Sequence, residues 1–207
     1  MHEIFKPITA SIAFTGDLKT DIKSFLEVNN CLDTATHCID VGTECRRIAL
    51  MFNANPTKAE LAGWLHDISA VFPNNVRLDV ARQLELEVLS EETVFPMIIH
   101  QKISRVMAKE IFDITDQDVL DAVGCHTTLR SNSSLLDKVL FVADKISWDQ
   151  KGTPPYLEDL NRNLQISLTH GAFAYINFLW EKRDTLKVIH PWLRDAYEEL
   201  KDKVHLV

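Results

Sequence analysis

Six side chains that bind metal ions well interrupt apolar stretches of this 207-residue chain. They are His37 in "TATHCIDV", the adjacent His66 and Asp67 in "LAGWLHDISAVF", His100 in "FPMIIHQKI", His126 in "AVGCHTTLR" and Asp144 in "LLDKVLFVADKI". A lone histidine on an apolar face is ordinarily a satisfied core residue, and a lone helical aspartate sits at a solvated edge. Six such positions on successive segments would each require a separate buried partner. One shared cation, or a pair of them, satisfies all six at once. Imidazole and carboxylate suit Fe, Mn, Co or Zn, and the lack of cysteine at these positions argues against a closed structural zinc site. Asp67 has two oxygens and can bridge two ions roughly 3.5–4 Å apart, an arrangement that activates water and clamps a phosphoryl oxygen.

The elements that must bring these residues together read as helices. Glycines and prolines are few, 6 and 7, and long segments carry helical rather than alternating periodicity. His37, Val41, Cys45, Ile48 and Phe52 follow steps of three and four, so His37 lies on the apolar stripe of an amphipathic helix. "NANPTKAELAGWLHDI" reads as a turn, a Thr57 cap with Glu60 three positions later, and a second helix. Further helices are expected over 76–87, 100–112, 116–125, 133–147, 156–180 and 191–203, with a polar loop at "TTLRSNSS" and the longest break at "DQKGTPPY". Residues 1–16 have weak strand character and read as an N-terminal arm; 17–207 read as one globular all-α domain.

A net charge of −8 with no block of Lys or Arg argues against nucleic acid or an anionic membrane as the main partner. A phosphorylated small molecule remains compatible, because the field of a site is local and metal ions reverse its sign. No run approaches the roughly 20 apolar residues of a membrane span, and "MHEIFKPITASIAF" lacks the form of a signal peptide, so a cytoplasmic protein is expected. Cys31, Cys38, Cys45 and Cys125 show no CxxC spacing and read as reduced, small apolar residues.

The order His, His-Asp, Asp resembles the HD-domain metal-dependent phosphohydrolases. Within them the chain is similar to the YqeK branch, whose members hydrolyse diadenosine tetraphosphate symmetrically to two ADP. The likeness is carried by "LHDI" at Leu65–Ile68, His100 before a helix, "HTTLR" at His126–Arg130, "SLLDKVLFVADKI" at Ser134–Ile146 and "VIHPWLRDAY" at Val188–Tyr197. The resemblance implies a single helical bundle holding two divalent ions, iron first among the candidates. It places His37, His66, Asp67 and Asp144 on the first ion and His100 and His126 on the second, with Asp67 bridging. It puts Asp67 and His66 at the catalytic centre, around a metal-activated hydroxide, with no protein nucleophile. It sets Thr127, Thr128 and Arg130 beside the phosphates, and Lys145 is a further phosphate candidate. The chain departs from the family in having Ser69 and Ala70 where a basic residue is usual, "QKIS" after His100 where a Gly-rich turn is common, and "SWDQ" after the "ADKI" helix. An arginine usual just before the first histidine is also missing. These departures leave the ligand positions unchanged and alter the wall that a substrate would touch.

Other residues receive plainer readings. Asp137 reads as polar edge and Lys138 as a surface charge. Trp64, Trp180 and Trp192 read as packing, with Trp148 the one to test against a nucleobase. His190 reads as a helix-start residue, and His2, His170 and His205 have no second ligand nearby. Rival functions are a phosphohydrolase for another nucleotide (a mononucleotide or guanosine tetraphosphate), a nucleotide-sensing module that keeps the metal cage with little catalysis, and a purely structural bundle. A homodimer is left open.

Overall fold

The computed structural model describes residues 1–148 and 151–205, and every regular element among them is helical. Asp149 and Gln150 of "SWDQ" lie outside the described residues, as does the side chain of His205. The α-helices are α1 (Lys6–Thr9), α2 (Leu18–Val28), α3 (Leu32–Met51), α4 (Pro56–Leu65), α5 (Arg77–Gln83) and α6 (Ser90–Val94). They continue as α7 (His100–Ile111), α8 (Gln117–Cys125), α9 (Leu135–Ile146), α10 (Leu157–Leu164), α11 (Leu168–Glu181) and α12 (Pro191–His205). One apolar core runs through them, from Phe5 to Leu200. No helix among the described residues is long and apolar enough to cross a membrane.

Of the stripe anticipated on α3, His37, Val41, Cys45 and Ile48 are buried, joined by Cys38, while Phe52 is half-buried just past the helix end; α3 packs against α4 and α9. Asn55, rather than Thr57, caps α4. Its side-chain oxygen accepts the N–H groups of Thr57 and Lys58, and Pro56 fills the first helical position, where a missing N–H costs nothing. Helices α3 and α4 then touch backbone to backbone. A Cβ on Gly63 would stand 2.5 Å from the Cα of Gly42 and 2.6 Å from its nitrogen. This approach brings the His37 end of α3 over the His66 end of α4.

Helix α9 is buried on several sides: Leu136, Val139, Leu140, Phe141, Val142 and Ala143 are all core, and it packs against α3, α8 and α11. Ser134 and Asp137 form a capping box at its start. Asp137 is therefore not polar edge. It is fully buried because its carboxylate turns back to accept the Ser134 N–H at 3.1 Å and Arg130 Nε at 2.9 Å.

Three other expectations change. The helix expected over 156–180 is two helices, because Ser167 accepts the His170 N–H and starts a new one, while Gly171 lets Leu164 of α10 pack against α11. The helix expected over 76–87 stops at Gln83, and Glu85 turns left-handed at φ 54°. The N-terminal residues are not strand-like: Glu3–Phe5 form a 3-10 turn leading into α1, where Pro7 fits the first turn, and Phe5 is fully buried against Phe72. All four cysteines are free, with Cys38, Cys45 and Cys125 buried.

Candidate metal centre

The fold brings His37, His66, Asp67, His100, His126 and Asp144 together, from α3, the end of α4, the start of α7, the end of α8 and the last turn of α9. Three of the histidines are held in the same manner. His66 Nδ1 donates to the Gly63 carbonyl at 2.7 Å, His100 Nδ1 to the Met97 carbonyl at 2.5 Å and His126 Nδ1 to the Val123 carbonyl at 2.8 Å. A carbonyl only accepts, so in each ring the proton sits on Nδ1 and the lone pair on Nε2. The sequence builds this by placing His66 and His126 just past the ends of α4 and α8 and His100 where a 3-10 turn passes into α7, so that each ring reaches the carbonyl three residues earlier.

All the Nε2 atoms then converge. His37 Nε2 lies 3.2 Å from Asp144 Oδ1 and 3.3 Å from His66 Nε2. His100 and His126 Nε2 are 2.9 Å apart. The Asp67 carboxylate is divided between the two sets: Oδ2 is 3.6 Å from His66 Nε2, while Oδ1 is 3.0 Å from His100 Nε2 and 3.5 Å from His126 Nε2. Two bare acceptor nitrogens at 2.9 Å repel unless a positive charge lies between them, so the donor set fits divalent ions. Three overlapping groups could each hold one: His37–His66–Asp67, Asp67–His100–His126 and His66–His126–Asp144.

The electrostatics agree with this. Burial works against ionisation of Asp67, but His66 and His100 outweigh it and hold its carboxyl well below the ordinary value. Burial likewise opposes the charge on Asp144, and Lys145 and His37 overcome it. Burial pushes the His66 imidazole down and brings His126 down to about 4, so both are neutral ligands at neutral pH. The unfolded chain takes up protons below about 6.5, which folded His126 refuses until about 4. Stability of chelator-treated protein should therefore decline as pH falls through that window. Urea unfolding at pH 7, 5.5 and 4.5 checks this, and a midpoint that is flat or rising toward acid would contradict it.

The remaining anticipated residues divide. Thr127 is beside the cluster, its Oγ1 3.2 Å from the Nε2 of both His100 and His126. Thr128 is buried and faces Gln101. Lys145 is largely but not fully buried, in contact with Asp144 Oδ2, and its ammonium lies over the rings of Phe141 and Tyr175. Arg130 directs its hydrogen bonds elsewhere, to Asp137 and Asp121. Lys138 donates to the Ser133 carbonyl. Trp148 is over a third exposed and rests edge-on against Tyr156. His190 does start α12, where its Nδ1 accepts the Trp192 N–H, and it is also buried against Glu92.

Several positioning residues escaped the sequence reading. Gln101 is fully buried, accepting the Thr127 N–H at 3.0 Å and donating to Thr128 Oγ1 at 3.1 Å, which fixes the turn after His126. Ser69 donates to the His100 carbonyl at 2.9 Å, and Ser104 Oγ donates to Ser69 Oγ at 2.8 Å, tying the strand of chain after Asp67 to α7. Gln101 follows His100 directly, Ser69 lies two positions past Asp67 and Ser104 one turn past His100, and that proximity was the available signal. Arg77 approaches from α5 and had no such signal.

Comparison with known proteins gives a consistent result. The HD domain family model matches residues 34–149, which span all six cluster residues. An uncharacterized protein encoded in the pepC 5' region of Lactococcus lactis subsp. cremoris is 45% identical over 148 residues, covering 72% of this chain and 75% of that one. A symmetrical bis(5'-nucleosyl)-tetraphosphatase of Halalkalibacterium halodurans is 34% identical over 169 residues, 79% of this chain and 87% of that protein. A crystal structure from Clostridium acetobutylicum, described as a predicted HD superfamily hydrolase involved in NAD metabolism, shares the fold with a TM-score of 0.81. It is 24% identical, and the match covers 89% of this chain and 97% of that one. On the family match and on the breadth of its likeness to the tetraphosphatase, the chain belongs to the HD domain family.

Proposed function

We propose that the protein is a metal-dependent phosphohydrolase acting on nucleotides, and that its reaction is the symmetrical hydrolysis of diadenosine tetraphosphate to two ADP. The observation that carries this reading is the divided Asp67 carboxylate, with one oxygen toward His66 and the other toward His100 and His126. Divalent ions bound there supply Lewis acidity, lowering the pKa of water and drawing charge off a phosphoryl oxygen. The chain's own part is to present ligands in the right form. The Nδ1 bonds fix the tautomers of His66, His100 and His126, and Lys145 keeps Asp144 ionised. Thr127 Oγ1 borders the cluster, 3.2 Å from His100 and His126 Nε2, where its hydroxyl would donate to a phosphate oxygen of bound substrate. No serine or cysteine is needed as a nucleophile.

The specific substrate is supported by the 34% identical relative named for that activity. Purified protein loaded with Fe, Mn or Co should be assayed against dinucleoside polyphosphates, mononucleotides and guanosine tetraphosphate. Two ADP as the products of diadenosine tetraphosphate are expected. ATP plus AMP would refute symmetrical cleavage, and binding of nucleotide without turnover under every metal would refute the enzyme.

A further inference from the structure

Most arginines of this protein are neutralised by a carboxylate. Arg46, Arg47, Arg82, Arg105, Arg130, Arg162 and Arg194 each have one within 4 Å. Among the described residues, Arg183 and Arg77 do not, and Arg183 is exposed. Arg77 is partly buried, and the guanidinium is secured only by carbonyls: Nε donates to Phe72 at 2.9 Å and Nη1 to Met97 at 3.5 Å. The Met97 carbonyl is also the one that receives His100 Nδ1. Arg77 therefore shares an anchor with a cluster histidine. Burial lowers its pKa, and Asp67 is the carboxylate whose field offsets that.

The other cations considered for phosphate are already committed, Lys145 to Asp144 and Arg130 to Asp121 and Asp137. Among the described residues nothing accepts a hydrogen bond from Arg77 Nη2, and the two carbonyls set the orientation of its planar fork. A partly buried guanidinium with no carboxylate within 4 Å, and only the more distant field of Asp67 to offset burial, costs desolvation energy, and an anionic ligand in direct contact is what recovers it. The fork also matches phosphate oxygens in a way an ammonium does not.

We propose that Arg77 is the phosphate-gripping residue of this site, taking oxygens of the substrate's polyphosphate chain on the Asp67–His100 side of the cluster. The assignment rests on the phosphohydrolase reading for its substrate class. The anion site itself can be tested separately. Inorganic pyrophosphate is titrated calorimetrically into metal-loaded wild type, Arg77→Gln and Arg77→Lys, with metal content and thermal unfolding measured on each.

Pyrophosphate binding should weaken roughly tenfold to a hundredfold in Arg77→Gln, the loss of a charge-assisted contact, with metal content unchanged. Arg77→Lys should recover part of the loss, and it decides the matter alone if Arg77→Gln does not fold. Affinity within about twofold of wild type in the folded variants overturns the proposal. So does metal content that falls in parallel with affinity, since Arg77 would then merely brace His100, and so does a wild type that does not bind pyrophosphate. If wild type cleaves the dinucleotide while the variants bind pyrophosphate equally well, only the Arg77 assignment fails. If binding depends on Arg77 but no nucleotide is turned over, the anion site stands and the phosphohydrolase reading fails.

Discussion

Asp67→Ala is expected to lose metal and turnover together. The substitution removes the one carboxylate whose two oxygens face both histidine sets, and it leaves the Nε2 atoms of His66, His100 and His126 directed at one another. Turnover should fall by at least about a thousandfold, some 4 kcal/mol of transition-state stabilisation. Elemental analysis should show metal content well below that of wild type. His37→Ala is the contrast: it takes one ligand from the His66–Asp144 side and leaves the Asp67–His100–His126 group intact. Retention of full metal content by Asp67→Ala would count against a shared carboxylate.

The largest effect on stability is expected from Gly63→Ala. In most helices this change helps by about 1 kcal/mol, because alanine loses less backbone freedom. Here the added carbon would sit 2.5 Å from the Cα of Gly42 and 2.6 Å from its nitrogen. Neither is the flexible end of a side chain, so α3 and α4 must move apart. Overpacking of this kind costs roughly 1–3 kcal/mol and occasionally more, and rigid backbone on both sides places the site at the upper end. The net expectation is a loss of about 2 kcal/mol by urea unfolding, together with weaker metal binding as His37 is drawn away from His66. A variant as stable as wild type would show that the helix pair has room to yield.

The six cluster residues were legible because each breaks an apolar stripe, and helical periodicity identified the elements that carry them. That reading sees one element at a time. It placed Asp137 at the polar edge because a heptad pattern cannot show a cap turning its carboxylate inward toward Arg130. The family resemblance set Arg130 beside phosphate, and it could not show that in the fold this guanidinium is shared between Asp137 and Asp121 of the neighbouring helix. Ser167 looked like one polar residue in a continuing helical pattern, yet its hydroxyl starts a new helix. Arg77 was invisible for a related reason: ten positions and a 3-10 turn separate it from Asp67, and only the folded chain returns it to the Met97 carbonyl. The contact between Gly42 and Gly63 likewise depends on how two helices cross, which neither helix encodes by itself.

Glu92 and His190 approach to 3.3 Å, 98 positions apart in the chain, and Lys102 completes the group at 2.9 Å from Glu92. All three are buried, and Lys102, two residues beyond His100, also lies under the Trp192 ring. Cutting the chain to its family-matched stretch, which ends at residue 149, would discard His190 and Trp192 and bare an acid and an amine that the intact molecule keeps from water. A chain ending at residue 149 is therefore expected to unfold at lower urea than the intact one.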